Sequence, residues 1–470
     1  MSLTHIQRGQ LFGVFALLIG FMVWSPTGTL IEFPKYWWDE SFAVEAARTF
    51  NEIGKVDITV APLTPSHIAI VLNSNGFPLS LPLALLYRFT GVSLLATRIM
   101  MIVWMLLLFV VLYQFLKRHI GHDFAIRGLL LLACFAPLYG NGRTATGDVP
   151  GLLFFVLTLM ALSKERYFAS GALAGLALVS KTSSYHVAPI AIGLAILYAQ
   201  GKQGVRPLMR YITGGSLVAL FWLWLLLPSF SWSAIAPAMA FFQYPTHKPS
   251  IISLAIHNPF VLFNSAFVFV VIAGALLYFG LRKTPPLSKR VTAALTIYAL
   301  LQTVVYLRSA GWSRYLLSVE CLAILLLPLT LARLSQMYVV DHKRNAALVG
   351  SLMLIAGVFS IHYQFFSNIF ISNSRDGAVA TIMETLDATP GSTVGFVNDP
   401  ITASLIPGDR KYQYLRLGGN TYAGSPDFFI NPKTRPTYIT YPIDTKLFPT
   451  LNNAYTLVKK TPEIQIWKKN

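Results

Sequence analysis

Long apolar runs, each 13 to 24 residues, recur from Leu11 to Phe366 and are separated by short polar turns. A helix needs about 20 apolar residues to cross a bilayer, so this pattern predicts a polytopic α-helical membrane protein. The first run covers about Gln10–Ile31. Others fall near Ser93–Leu116, Ala125–Gly140, Val149–Ser163, Phe168–Ser180, His186–Ala199 and Leu208–Ser229, then Pro259–Leu281, Val291–Tyr306, Tyr315–Leu334 and Ala346–Phe366. Together they make about eleven spans. The first run has no small-x-small cleavage site and is read as a retained helix.

Two shorter patterns lie between the first and second spans. From Ser41 to Ile53, Phe42, Ala46, Phe50 and Ile53 recur at helical spacing, with Glu45, Arg48 and Glu52 on another face. That predicts a short amphipathic helix along the membrane surface. The piece Leu79–Phe89 is short for a span and is read as lying in the interface or re-entering the membrane. From about Ser372 the periodicity changes. Ala378–Leu386 reads as a helix, and Thr393–Val397, Thr437–Thr440, Tyr455–Val458 and Ile464–Trp467 as short strands. The expected division is a membrane domain over residues 1–371, with a first outer loop over about 32–92, and a small soluble α/β domain over residues 372–470.

Composition agrees. Hydrophobic residues make up 54% and charged residues 12%, with a mean hydropathy of +0.57, outside the range of soluble domains. The net charge of +18 would suggest nucleic acid in a soluble chain. Here it follows from Lys and Arg collecting in alternate turns, as the positive-inside rule requires, and no nucleic-acid partner is implied. Arg8 and the basic turns at Lys117–Arg118, Lys164–Arg166 and Arg282–Arg290 face the cytoplasm on this reading. The tail then lies outside, in a multi-pass protein of the inner or plasma membrane. Cys134 and Cys321 both sit in apolar runs, which indicates neither a disulfide framework nor a cysteine metal site.

This topology puts five polar features on the outer side: Asp39-Glu40, beside Trp37 and Trp38; Asn75-Gly76-Phe77-Pro78; Arg143 to Asp148; Ser180-Lys181-Thr182; and Ser313-Arg314-Tyr315. Singly, each has an ordinary explanation as a helix cap, a snorkelling cation or a solvated loop acid. Together, acids and cations beside a lipid phase suit an enzyme with an anionic lipid substrate.

In this order the features resemble the GT-C glycosyltransferases that use polyprenyl-phosphate sugars, among them the protein O-mannosyltransferases and the aminoarabinose transferases of lipid A. The acidic pair follows the first helix, a Gly-x-Pro-Leu turn leads to Gly91, and Arg143 to Asp148 comes next. Gly171 to Lys181 is similar to the family's Gly-Leu-Ala-Leu-Leu-Thr-Lys segment, and Arg314-Tyr315-Leu316-Leu317 to its Arg-Tyr-Leu-Leu-Pro segment. The likeness covers about the first 335 residues. Two departures stand out: Phe77-Pro78-Leu79 has a single Pro with no cation before it, and no Pro follows Leu317.

The resemblance implies a GT-C type fold and inverting transfer of a sugar to an acceptor hydroxyl on a lipid, glycan or protein. Asp39 becomes the catalytic base, with Glu40 orienting the site. Arg143 and Tyr315 line the substrate site, and Lys181 and Arg314, at helix ends facing water, bind the donor phosphate. Asp148 is a second acid that lines the site or helps to hold a divalent metal ion; no other cofactor is implied. The rival reading is a transporter or flippase of lipid-linked sugars, which should show inverted repeats and ionisable residues at midspan. Neither pattern is evident. A receptor or scaffold, and a lipid-oligosaccharide polymerase or ligase, are the other rivals.

Overall fold

The computed structural model describes residues 4–23, 30–31, 36–66, 76–227, 232, 249–258, 287–309, 313–338, 350, 376–418, 421–440, 453–461 and 464–470. The expected spans Pro259–Leu281 and Ala346–Phe366 lie outside the described residues, apart from Gly350. The chain forms two compact units. One comprises residues 1–34, 99–220 and 248–371, and the other residues 35–98, 221–247 and 372–470.

Helices α1 His5–Val23, α2 Trp38–Ile53, α3 Phe77–Thr90, α4 Leu94–Ile120 and α5 His122–Ala133 come first. They are followed by α6 Ala136–Gly142, α7 Asp148–Ser163, α8 Tyr167–Ser180, α9 Ala188–Gln200 and α10 Val205–Leu226, and then by α11 Lys289–Arg308, α12 Leu317–Tyr338 and α13 Asp376–Asp387. Among the described residues, five helical stretches are long and apolar enough to cross a membrane: His5–Val23, Leu94–Ile120, Thr182–Leu226, Lys289–Arg308 and Arg314–Arg333. Large apolar side chains stand exposed on them, including Phe12 at 75%, Trp224 at 62% and Leu300 at 63%. Such stripes suit lipid better than water. The chain is a multi-pass helical membrane protein.

The expected span Ala125–Gly140 is broken at Cys134-Phe135 into α5 and α6. Pro137 explains the break, because it has no N–H to give to the Ala133 carbonyl and its ring would crowd that carbonyl if one helix ran through. Close helix packing elsewhere depends on glycine. A methyl group at Gly171 of α8 would collide with the Tyr211 carbonyl of α10, and one at Gly214 with the Phe168 carbonyl. Small residues of this kind let helix backbones approach in a membrane.

The second unit holds α2, α3, a small hairpin of β1 Thr59–Ala61 and β2 Thr64–Pro65, and an α/β layer. Strands β3 Val394–Val397, β4 Lys411–Gly418, β5 Thr421–Ala423, β6 Tyr438–Thr440, β7 Tyr455–Lys460 and β8 Gln465–Lys469 form one sheet in the order β5-β4-β3-β6-β8-β7. The central strand β3 pairs in parallel with β4 and with β6, and the outer pairs are antiparallel. Ala378, Ile382 and Leu386 of α13 pack on Val394, Phe396, Tyr438 and Ile466. On the side of the hairpin, Ile58 and Val60 meet Leu415, Ala423 and Phe42.

Candidate active site

Helix α2 begins one residue earlier than the acidic pair, so Asp39 and Glu40 occupy its first turn. Carboxylates are favoured there by the unpaired N–H groups of the helix start. The two acids have different surroundings. Asp39 is half-buried. Glu40 is fully buried and its Oε1 lies 2.7 Å from Nη1 of Arg98, which is also fully buried. Beside them Tyr36 is buried, with its hydroxyl 2.7 Å from Ser404 Oγ. Burial, and then the charge of Glu40, push the Tyr36 phenol well above its ordinary value, so it stays protonated.

The other predicted residues fall in the first unit. Gly147, at a φ of 77° that suits glycine, turns the chain into α7. Asp148 is the first residue of that helix and is 3% exposed. Its Oδ2 accepts a hydrogen bond from Thr146 Oγ1 at 2.9 Å, and its Oδ1 one from Ser184 Oγ at 2.9 Å. The Tyr185 hydroxyl donates to the Asp148 carbonyl at 2.8 Å. Tyr298 of α11 donates to the Ser184 carbonyl at 3.1 Å and lies 2.7 Å from Ser318 Oγ of α12. Gln302, one turn on, donates to the Tyr315 carbonyl at 2.8 Å. Asp148 is thereby joined to Ser184, three residues past Lys181, and through Tyr298 to Ser318, four residues past Arg314.

Lys181 sits between α8 and the turn 182–185 in extended backbone, and its carbonyl accepts from the N–H groups of Ser184 and Tyr185. It is 2% exposed, where a water-facing side chain was expected. Arg143 is also buried; it donates to the Phe21 carbonyl and lies over the Tyr139 ring at 5.8 Å. Arg314 and Tyr315 are half-buried, and the guanidinium of Arg314 lies 5.9 Å from the Tyr315 ring centre. Asn75 lies outside the described residues, while Gly76 caps α3 and Pro78 falls in its first turn, where a missing N–H costs nothing.

Ser184, Tyr185, Tyr298 and Gln302 escaped the sequence reading. Each is a single polar residue in an apolar helix or a short turn, and only the polar interruption of an apolar run could have marked it. Among the described residues no group of three His, Cys, Asp or Glu side chains is placed to hold a metal ion. Both oxygens of Asp148 already accept hydroxyl protons. Asp148 by itself is short of the several oxygen ligands that a divalent ion takes, and its oxygens hold Thr146 and Ser184 in place.

A family model described as dolichyl-phosphate-mannose-protein mannosyltransferase matches residues 79–232. No curated protein matches the chain in sequence. Among solved structures, ArnT from Cupriavidus metallidurans bound to undecaprenyl phosphate is similar, with a TM-score of 0.60 at 13% identity, covering 98% of this chain and 97% of that one. The oligosaccharyltransferase AglB from Archaeoglobus fulgidus, in complex with an inhibitory peptide and a dolichol-phosphate, gives a TM-score of 0.56 at 12% identity, over 94% of this chain and 70% of that one. At these identities the likeness is one of fold. The family model covers about a third of the chain, and the family match and the shared fold together make the chain similar to the membrane glycosyltransferases of the GT-C superfamily.

Proposed function

We propose that the protein transfers a sugar from a polyprenyl-phosphate donor to the hydroxyl of a lipid, glycan or protein acceptor, at the outer face of the inner or plasma membrane. In this reading about eleven helices cross the bilayer, the N-terminus is cytoplasmic, and the α/β layer over residues 372–470 is outside. The observation that carries the reading is the chain Asp148–Ser184–Tyr298–Ser318. It fixes the helix ends that bear Arg143, Lys181 and Arg314 in a fold shared with polyprenyl-phosphate-bound enzymes.

The acceptor oxygen attacks the anomeric carbon as its proton passes to Asp39. The bond from that carbon to the phosphate oxygen breaks, and the electron pair leaves with the lipid phosphate. The product is inverted at the anomeric carbon. Lys181 and Arg314 hold the phosphate and offset its growing charge, and an arginine does this bidentately. Arg143 and Tyr315 line the substrate site, and Asp148 keeps Ser184 and the turn after Lys181 in place. Glu40, neutralised by Arg98, orients the first turn of α2 and takes no proton.

The test supplies membranes carrying the chain with undecaprenyl phosphate linked to different hexoses and pentoses, and measures the undecaprenyl phosphate released. The wild type should consume at least one donor. Asp39→Asn should lower turnover by about 10²-fold or more with donor binding retained. Lys181→Ala and Arg314→Ala should weaken donor use by about 1.5–3 kcal/mol each. Normal release by Asp39→Asn and by both cation variants would refute the reading.

A further inference from the structure

Helix α2 carries more buried charge than its first turn requires. One turn and a half past Asp39, Glu45 is fully buried, and its Oε1 is the centre of a dense set of donors. Lys411 Nζ lies at 2.5 Å, Gln413 Nε2 at 2.7 Å, the Thr59 N–H at 3.0 Å, the Thr59 hydroxyl at 3.2 Å and Arg48 Nη2 at 3.3 Å. Lys411 and Gln413 belong to strand β4, more than 360 residues further along the chain. Both are fully buried, and Lys411 also donates to the Ala403 carbonyl at 2.8 Å.

The same helix reaches the segment between β3 and β4 at three more points. Arg48 Nη1 donates to the carbonyls of Ser404, at 2.8 Å, and of Ile406. Glu52 accepts the Gly408 N–H at 3.2 Å, and a methyl at Gly408 would strike its carboxylate. Tyr36, just before the helix, meets Ser404. Apolar packing alone would let a helix slide or roll at small cost, because it is non-directional. Charge-assisted hydrogen bonds fix distance and angle. The α/β layer therefore holds α2 at a set rotation and height.

We infer that Lys411 and Gln413 are positioning residues for the acceptor base: through Glu45 they set the place of the helix whose first turn presents Asp39. The inference rests on Asp39 acting as the base. The α/β layer is then a part of the catalytic apparatus, and its strand β4 sets the geometry of proton removal from the acceptor. Lys411 and Gln413 are fully buried against Glu45, so on this inference their loss affects the rate of transfer and not donor affinity.

The test uses the full chain in detergent with the undecaprenyl-phosphate sugar it consumes, and compares Lys411→Met, Gln413→Met, Asp39→Asn and the double variant Lys411→Met/Asp39→Asn. Lys411→Met should lower kcat on the order of 10- to 100-fold with donor KM unchanged, since small displacements of a reacting group have effects of this size. Gln413→Met, which keeps Lys411 on Glu45, should be milder and folded. The double variant should be no slower than Asp39→Asn alone. Equal multiplication of the two losses would overturn the inference, as would normal turnover by Lys411→Met beside a slow Asp39→Asn. Normal turnover by Asp39→Asn would instead overturn the base reading itself. Amide exchange supplies an arm independent of activity. Residues 38–49 should exchange faster in Lys411→Met while residues 394–397 keep wild-type protection, and equal loosening of both would overturn the positioning role.

Discussion

Lys411 makes stability depend on pH in a direction opposite to that of most salt-bridged lysines. Burial, and then the neighbouring Arg48 guanidinium, lower its pKa from 10.5 to about 7, against the pull of Glu45. Below about pH 7 the folded and unfolded chains both hold the proton, and this group gives no slope. Between about 7 and 10.5 the unfolded chain holds a proton that the folded chain has lost. Raising the pH across that window therefore favours the fold, by about 1.4 kcal/mol per pH unit. From pH 7 to 9 the gain is on the order of 3 kcal/mol, equivalent to several degrees in Tm at roughly 2–4 °C per kcal/mol. Thermal unfolding of the detergent-solubilised chain, followed by near-ultraviolet circular dichroism, should show this gain in the wild type relative to Lys411→Met. Parallel Tm curves for the two chains from pH 7 to 9 would refute the argument.

Two further outcomes follow from the site. Glu40→Gln leaves the Arg98 charge buried without its carboxylate and should cost about 3–5 kcal/mol of stability, read as a lower unfolding midpoint, with turnover per folded molecule falling less than in Asp39→Asn. Ser184→Ala removes one hydroxyl from Asp148 and should destabilise by about 1–2 kcal/mol while weakening undecaprenyl phosphate binding, measured by tryptophan fluorescence; added magnesium should restore neither.

Much of the fold was legible because its signal is periodic. The stripe of Phe42, Ala46, Phe50 and Ile53 gave α2 within a few residues of its observed span Trp38–Ile53. The strands at 394–397, 438–440, 455–460 and 465–469 showed through β-branched and aromatic runs. The longest strand, β4 Lys411–Gly418, was missed for a physical reason. Its inward positions include Lys411 and Gln413, polar residues that are buried because Glu45 waits for them. A pattern search expects apolar residues on the covered face, and here the covered face is ionic at one end. The polar chain from Asp148 to Ser318 was hidden for a related reason. Its members are isolated hydroxyls, and what makes them a network is contact across helices far apart in sequence.

The adjacent acids Asp39 and Glu40 show how one dipeptide divides between two environments. Neighbouring residues on a helix point about 100° apart, so a helix lying against a surface turns one side chain inward and leaves the next at the rim. Glu40 turns inward and is matched by Arg98; Asp39 stays at the rim, half-buried. In the proposed mechanism the inward acid serves the outer one, since a base must be held within a fraction of an ångström to act on a weakly acidic hydroxyl. The Glu40–Arg98 pair and the Tyr36–Ser404 contact pin the start of α2, while Glu45, Arg48 and Glu52 pin the turns beyond it. Four directional anchors on sixteen residues, with a fifth at Tyr36 just before them, exceed what stability alone asks of a helix, because buried ion pairs are rarely more stabilising than apolar residues of the same volume. What they add is a fixed position, and the side chain that gains from it in this reading is Asp39.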